Sequence, residues 1–239
     1  MNKFIKKINK DLFWIAGKHS VEAAIIKDKR KIFKVISSQK NIFLDNHKIN
    51  YEIKQINFFH KLFSESHVAH QGIAALVSGL PNVPINRVLS DQTIVMLDGI
   101  TDPMNIGTII RNCIAFDVQS IIVKDREFND KNAAMVKASS GAIDEINICK
   151  VANLNSALKI LKKNNFWAVC LDGSASVNIQ NHKWSQKNVI ILGSEGNGVS
   201  QLLKKECDYQ IKIMINKKIE SLNVNNASAI ALHTLKINK

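Results

Sequence analysis

TIVMLDGITDPMNIGTIIRNCIAF, residues 93–116, opens the part of the chain whose pattern decides the fold. TIVML reads as a buried apolar strand, and Asp98-Gly99 makes the turn that leaves it. Asp102-Pro103 then starts a helix that carries Asn105 and Arg111. The same alternation recurs downstream. Residues 120–123, 166–171, 189–192 and 210–215 are apolar strands, and residues 131–137, 155–163 and 227–237 are helical. Short apolar strands alternating with helices predict an α/β fold whose sheet is mostly parallel and covered on both faces.

Upstream, the elements are different. Residues 20–26 read as a helix with Ser20 as a cap, and residues 31–37 and 51–56 as strands. A helix over 57–63 capped by Asn57 and a buried strand over 73–77 complete a small α/β sandwich. GLPNVPINRVLSD follows at 79–91 and holds Pro81 and Pro84, two of the three prolines in the chain. Prolines clustered between two α/β patterns mark a linker. The expected division is therefore 1–78, a linker over 79–91, and 92–239.

Lys and Arg number 33 against 20 Asp and Glu, a net charge of +13. Such a field attracts polyanions, nucleic acid first and acidic membranes second, although a general drift toward Lys, Ile and Asn produces the same charge. Cys113, Cys149, Cys170 and Cys207 are far apart with no CxxC pair, which indicates neither a zinc site nor a disulfide framework. His67 and His70 sit three apart without a third ligand, so no metal is expected. The start, MNKFIKKINKDLFWIAG, is basic and lacks the apolar core and cleavage site of a secretory signal, and no apolar run is long enough to span a bilayer. A soluble cytoplasmic protein without a membrane partner is the expectation.

In open α/β sheets, ligands bind beyond the carboxyl ends of the strands. Three segments lie there. In LDGITDPMNIGTIIRN, Arg111 stands among Ile109, Ile110, Cys113 and Ile114, where a guanidinium needs a phosphate or carboxylate, or must snorkel to solvent. It lies six residues after Asn105, so the two share a narrow helix stripe only if the helix begins after Asn105. In ILGSEGNGVS, Gly193, Gly196 and Gly198 admit close backbone approach, while Glu195 repels phosphate and suits a neutral or cationic ligand. The order GxxGxG is not the dinucleotide pattern, and a plain glycine turn fits it equally. In IKIMINKKIESLNVNNASAIALH, Ser221 and Asn223 precede a helix that Asn225 or Asn226 could cap, and this segment alone reads as a capping cluster.

Together the three segments resemble, in order and spacing, the motifs of the SpoU (TrmH-type) family of RNA ribose 2′-O-methyltransferases, in the SPOUT superfamily. KASSGAID, residues 137–144, is similar to a further family signature. AGKHSVEAAI, residues 16–25, and HQGIAALV, residues 70–77, resemble the ribosomal-protein-like RNA-binding domain of a subgroup that methylates a guanosine ribose of large-subunit (23S) ribosomal RNA. The resemblance implies a trefoil-knotted methyltransferase domain over 92–239, a substrate RNA-binding domain over 1–78, S-adenosylmethionine as cofactor, and a homodimer. By motif it places Gly193, Ile213, Leu222, Gly196 and Leu192 at the cofactor. It places Asn105, Arg111, Glu195, Ser221 and Asn223 in the catalytic cluster, with Glu195 and Asn105 holding Arg111. The family proposal makes the arginine a base. A guanidinium normally stays protonated, so Arg111 is better read as gripping the substrate phosphate and stabilising charge on the 2′-oxygen. The chain departs from the family where Met214 replaces a usual proline and Asn225 a usual serine. Methylation of transfer RNA and a non-catalytic RNA-binding assembly module are the rival readings.

Overall fold

The computed structural model describes residues 11–65, 68–216 and 218–238. The chain forms two compact units, one made of residues 1–81 with 129–145, the other of 82–128 with 146–239. The first unit holds a four-stranded sheet of β1 (Leu12–Ala16), β2 (Ile32–Ser37), β3 (Glu52–Ile53) and β4 (Ile73–Ser78), in the order β1-β4-β2-β3. β4 pairs antiparallel with both β1 and β2, and this central place explains why the expected apolar run IAALV is buried. Ala16, Ile36, Phe59, Phe63, Val68 and Ala74 form a core beneath it. The first helix, Lys18–Lys27, begins after Gly17 and has no side-chain cap, so Ser20 is an interior buried residue and not the expected cap.

Residues 129–145 were expected in the second domain. They pack instead in the first unit, where Asp144 meets Arg30 at 2.6 Å with both side chains fully buried. The buried guanidinium needs a carboxylate, and the nearest in space comes from beyond the boundary that composition suggested.

The second unit is a seven-stranded parallel sheet. Its strands are β5 (Thr93–Asp98), β6 (Ser120–Lys124), β7 (Asn147–Val151), β8 (Trp167–Leu171), β9 (Val177–Asn178), β10 (Asn188–Gly193) and β11 (Tyr209–Lys212). The order β7-β6-β5-β10-β8-β11-β9 runs outward from β5 in one direction and outward from β10 in the other. That reversal leaves a crevice at the carboxyl ends of β5 and β10. All six residues of β5 are buried, as the unbroken apolar run requires of a strand covered on both faces. One face packs on Leu154, Leu158 and Leu161 of the helix Leu154–Lys163, and the other receives Ala231 of the closing helix Val224–Ile237 against Val169 and Ile211.

Candidate active site

Parallel pairing of β5 with β10 sets Asp98 opposite Gly193, so the first two motifs leave the sheet side by side. Asp98 anchors the second: its Oδ2 accepts the Ser200 N–H at 2.7 Å, and its Oδ1 lies 3.5 Å from Lys124 Nζ. The glycine loop closes on itself through the Gly198 N–H, which donates to the Ser194 carbonyl at 2.9 Å. A Cβ at Gly193 would fall 2.0 Å from the Gly198 carbonyl carbon and 2.1 Å from Val199 N, so only glycine lets the strand end pass beneath its own loop.

The helix Pro103–Ala115 starts at Asp102, whose Oδ1 accepts the Asn105 N–H at 2.7 Å. This cap aims Asn105 at the glycine loop, where its Nδ2 donates to Glu195 Oε1 at 3.3 Å. The same oxygen accepts Nδ2 of Asn223. Asn223 is also the N-cap of the closing helix, four residues before the start read from sequence, with its Oδ1 accepting the Asn225 N–H at 2.9 Å. Asn225 Nδ2 completes the circuit by donating to Asn105 Oδ1 at 2.7 Å. Three loops far apart in sequence are thus tied by one carboxylate and three amides.

Arg111 is not among them. The helix begins at Pro103 and so contains both Asn105 and Arg111. Six residues then put them about 120° apart around the axis. Arg111 is exposed and has no hydrogen bond or ion pair among the described residues. The expectation that Glu195 and Asn105 hold it is corrected: Glu195 is occupied by two amides, and the guanidinium points to solvent.

Beside this circuit opens a cleft of about 660 Å³. Leu192, Gly193, Gly196, Ile213 and Leu222, the five residues assigned to the cofactor, all line it, as do Glu195 and Ser221. Ile213 and Ile215 face the cleft, while Met214, in the place of the usual proline, is 64% exposed. Sequence reading missed Asp172 and Lys204, which form an ion pair of 2.6 Å in the same wall. Burial would raise the Asp172 carboxyl, but Lys204 and the Ser174 N–H and hydroxyl outweigh it and hold the group below its ordinary value. Its position just past the carboxyl end of β8 was the available signal. Apolar walls from Leu171, Leu192, Ile211 and Leu222, with the carboxylates of Asp172, Glu195 and Glu220, fit a ligand that has a flat apolar base, hydroxyls and a cationic centre. S-adenosylmethionine has all three.

Of the histidine pair, His67 lies outside the described residues. His70 meets His60 instead, Nε2 to Nδ1 at 3.2 Å. Among the described residues no helix is long and apolar enough to cross a membrane.

Residues 92–233 match the model of the SpoU rRNA methylase family. A relative in Staphylococcus aureus (strain COL), which carries the name of a TrmH family tRNA/rRNA methyltransferase, is 32% identical over 231 residues, covering 92% of this chain and 93% of the relative. Two solved structures share the fold at a sequence identity too low to say more. The SpoU methyltransferase AviRb from Streptomyces viridochromogenes in complex with AdoMet gives a TM-score of 0.82 at 18% identity, over 99% of this chain and 93% of that one. An RNA 2′-O ribose methyltransferase gives 0.79 at 17%, over 99% and 92%.

Proposed function

The chain belongs to the SpoU rRNA methylase family and is an S-adenosylmethionine-dependent RNA methyltransferase, and from that premise we propose that its acceptor is a ribose 2′-hydroxyl, of a guanosine in large-subunit ribosomal RNA. The observation that carries this reading is the cleft at the β5–β10 crevice, whose lining includes every residue the family motifs assign to the cofactor. The proposal includes the family's trefoil knot, its homodimer, and work in the cytoplasm, with residues 1–78 as the RNA-binding part.

When bound, S-adenosylmethionine supplies a methyl group activated by its sulfonium. Leu192, Gly193, Gly196, Ile213 and Leu222 would hold it. Glu195 fixes Asn105 and Asn223 by accepting an amide from each, which keeps the rim of the cleft rigid. Ser221, in the cleft wall, offers a hydroxyl to the reacting groups. Arg111, with no partner to leave among the described residues, is free to take the phosphate beside the target ribose. Its charge would stabilise the 2′-oxygen as the hydroxyl proton passes to solvent water. Positioning of that oxygen in line with the methyl group supplies much of the rate.

The test is transfer of a tritiated methyl group to protein-free 23S ribosomal RNA and, separately, to transfer RNA, followed by alkaline digestion. Ribose methylation blocks cleavage at its own nucleotide, so label in alkali-stable dinucleotides from ribosomal RNA is expected. Label confined to mononucleotides would mean a base is the acceptor. Label in transfer RNA alone would move the substrate to the second class that the name of the relative covers.

A further inference from the structure

The amide circuit beside the cofactor cleft has a direction. A carboxylate can only accept, so Asn105 must turn its Nδ2 toward Glu195 Oε1, which it meets at 3.3 Å. That leaves the Asn105 carbonyl facing the other way, where only a donor can satisfy it. Asn225 Nδ2 supplies that donor at 2.7 Å, the shorter of the two bonds. An asparagine amide carries an acceptor and a donor on two ends of nearly equal shape, so its flip is set by its neighbours. For Asn105 those neighbours are Glu195 and Asn225.

Asn225 makes this bond while its own carbonyl goes without one. Asn225 Oδ1 is buried and has no hydrogen-bond partner among the described residues. A buried acceptor left unmade is destabilising, and turning the amide over does not relieve it. The turn would set the carbonyls of Asn225 and Asn105 face to face, or make Asn105 flip too and present its carbonyl to the Glu195 carboxylate.

The backbone under this side chain is pinned. The Asn225 N–H donates to Asn223 Oδ1 at 2.9 Å, and its carbonyl accepts Asn112 Nδ2 at 3.1 Å and the Ser228 hydroxyl at 2.7 Å. The side chain therefore starts from a fixed point between the helices Pro103–Ala115 and Val224–Ile237. Asn225 does not line the cleft, whereas Glu195 does, so its route to the chemistry runs through Asn105. A serine hydroxyl, the usual group here in the family, ends one bond nearer the backbone, and this reach belongs to this chain.

We infer that Asn225 is a positioning residue for methyl transfer: it sets the flip of the Asn105 amide and thereby holds Glu195 at the rim of the cleft. The inference rests on the methyltransferase reading and deepens it by adding to that site a residue that the family motifs leave out.

The experiment measures steady-state methyl transfer to the RNA class that the wild-type protein labels, 23S ribosomal or transfer RNA. It compares wild type with Asn225→Ala, Asn225→Asp, Asn105→Ala and Asn105→Ala/Asn225→Ala. Asn225→Asp keeps the shape, removes the donor and suits the first turn of a helix, so a folded variant stays in the series if Asn225→Ala disturbs that turn. Each single substitution of Asn225 should lower kcat about tenfold, near the worth of one hydrogen bond, with KM for RNA unchanged. In the Asn105→Ala background the substitution of Asn225 should cause no further loss, because the two residues act in one chain. An NMR spectrum of the side-chain amides reads the same link without turnover. The Asn105 signal, identified by its loss in Asn105→Ala, should shift in Asn225→Asp as it does in Glu195→Ala, since both end its bond to the carboxylate. A further tenfold loss in the Asn105→Ala background, wild-type kcat in both Asn225 variants, or an Asn105 signal unmoved in Asn225→Asp would overturn the positioning role and leave the enzyme reading standing. A wild-type protein that methylates neither RNA would overturn both.

Discussion

Arg111 is the residue on which chemistry and fold separate most cleanly. It is exposed and makes no contact that holds the described structure together. Arg111→Ala should therefore lower kcat by about a hundred- to a thousandfold, the loss typical of removing one group that stabilises transition-state charge. The melting temperature and the calorimetric affinity for S-adenosylmethionine should stay at wild-type values. Near-normal turnover would remove Arg111 from the mechanism. His70 is the opposite case, a side chain whose titration acts on the fold. Its Nδ1 accepts the Gly72 N–H at 3.1 Å, so a proton there would break a turn bond. Burial, then the positive neighbours His60 and Lys137, hold its pKa below the ordinary value. A histidine with a depressed folded pKa leaves stability intact above the unfolded value, near 6.5, and loses it as pH falls from there through the folded value. The melting temperature should drop across that window, and His70→Asn, which keeps an acceptor for Gly72, should flatten the drop. An identical profile in the variant would assign the effect to another group.

At the scale of elements, the strands of the second unit were legible wherever the run of apolar residues was unbroken, whereas in the first unit the equally apolar run of β1, LFWIA, was not read as a strand. β5, β6 and β10 are buried along almost their whole length and β8 at its three central residues, and a buried parallel strand leaves no polar interruption to misread. β7, NICKV, was missed because it is the edge strand of its sheet and mixes polar with apolar residues. Helix starts were less legible. Asn225 and Asn226 were the caps read from sequence, but the cap is Asn223, whose Oδ1 accepts the Asn225 N–H. The start of the helix Pro103–Ala115 had the larger consequence, because it decides which face Arg111 takes. Residue types and motif order could therefore find the contents of the site but not its internal pairing. Asp102 carries that pairing: its side chain caps the helix and fixes the Asn105 backbone. Asp102→Ala should cost about 1 kcal/mol of stability, the usual loss of an N-cap, measured by urea unfolding. It should also lower kcat, because Asn105 then loses its fixed approach to Glu195. Stability lost without any change in kcat would show that the cap does not position the circuit.

At the scale of the whole molecule, the chain order and the folding units disagree. Residues 129–145 lie between β6 and β7 of the second unit in sequence, yet they belong to the first in space. The Arg30–Asp144 pair is the buried polar link that holds them there. Burial pushes the Asp144 carboxyl up more strongly than Arg30 and Lys29 pull it down, so the pair sits in surroundings hostile to an unmatched charge. Lys29 Nζ adds a bond to the Glu145 carbonyl at 2.5 Å, on the same segment. Removing one member of a buried pair strands the other, and such losses run to about 3–5 kcal/mol, whereas replacing both by apolar groups is often near neutral. Arg30→Met should therefore destabilise the protein by an amount in that range, and Arg30→Met/Asp144→Leu should recover most of it in chemical denaturation. This recovery tells a desolvation effect from simple loss of packing, since the double variant removes still more of the native contacts. If both variants were equally unstable, the segment would be held by the packing of the helix Ala133–Ser139 and not by the ion pair.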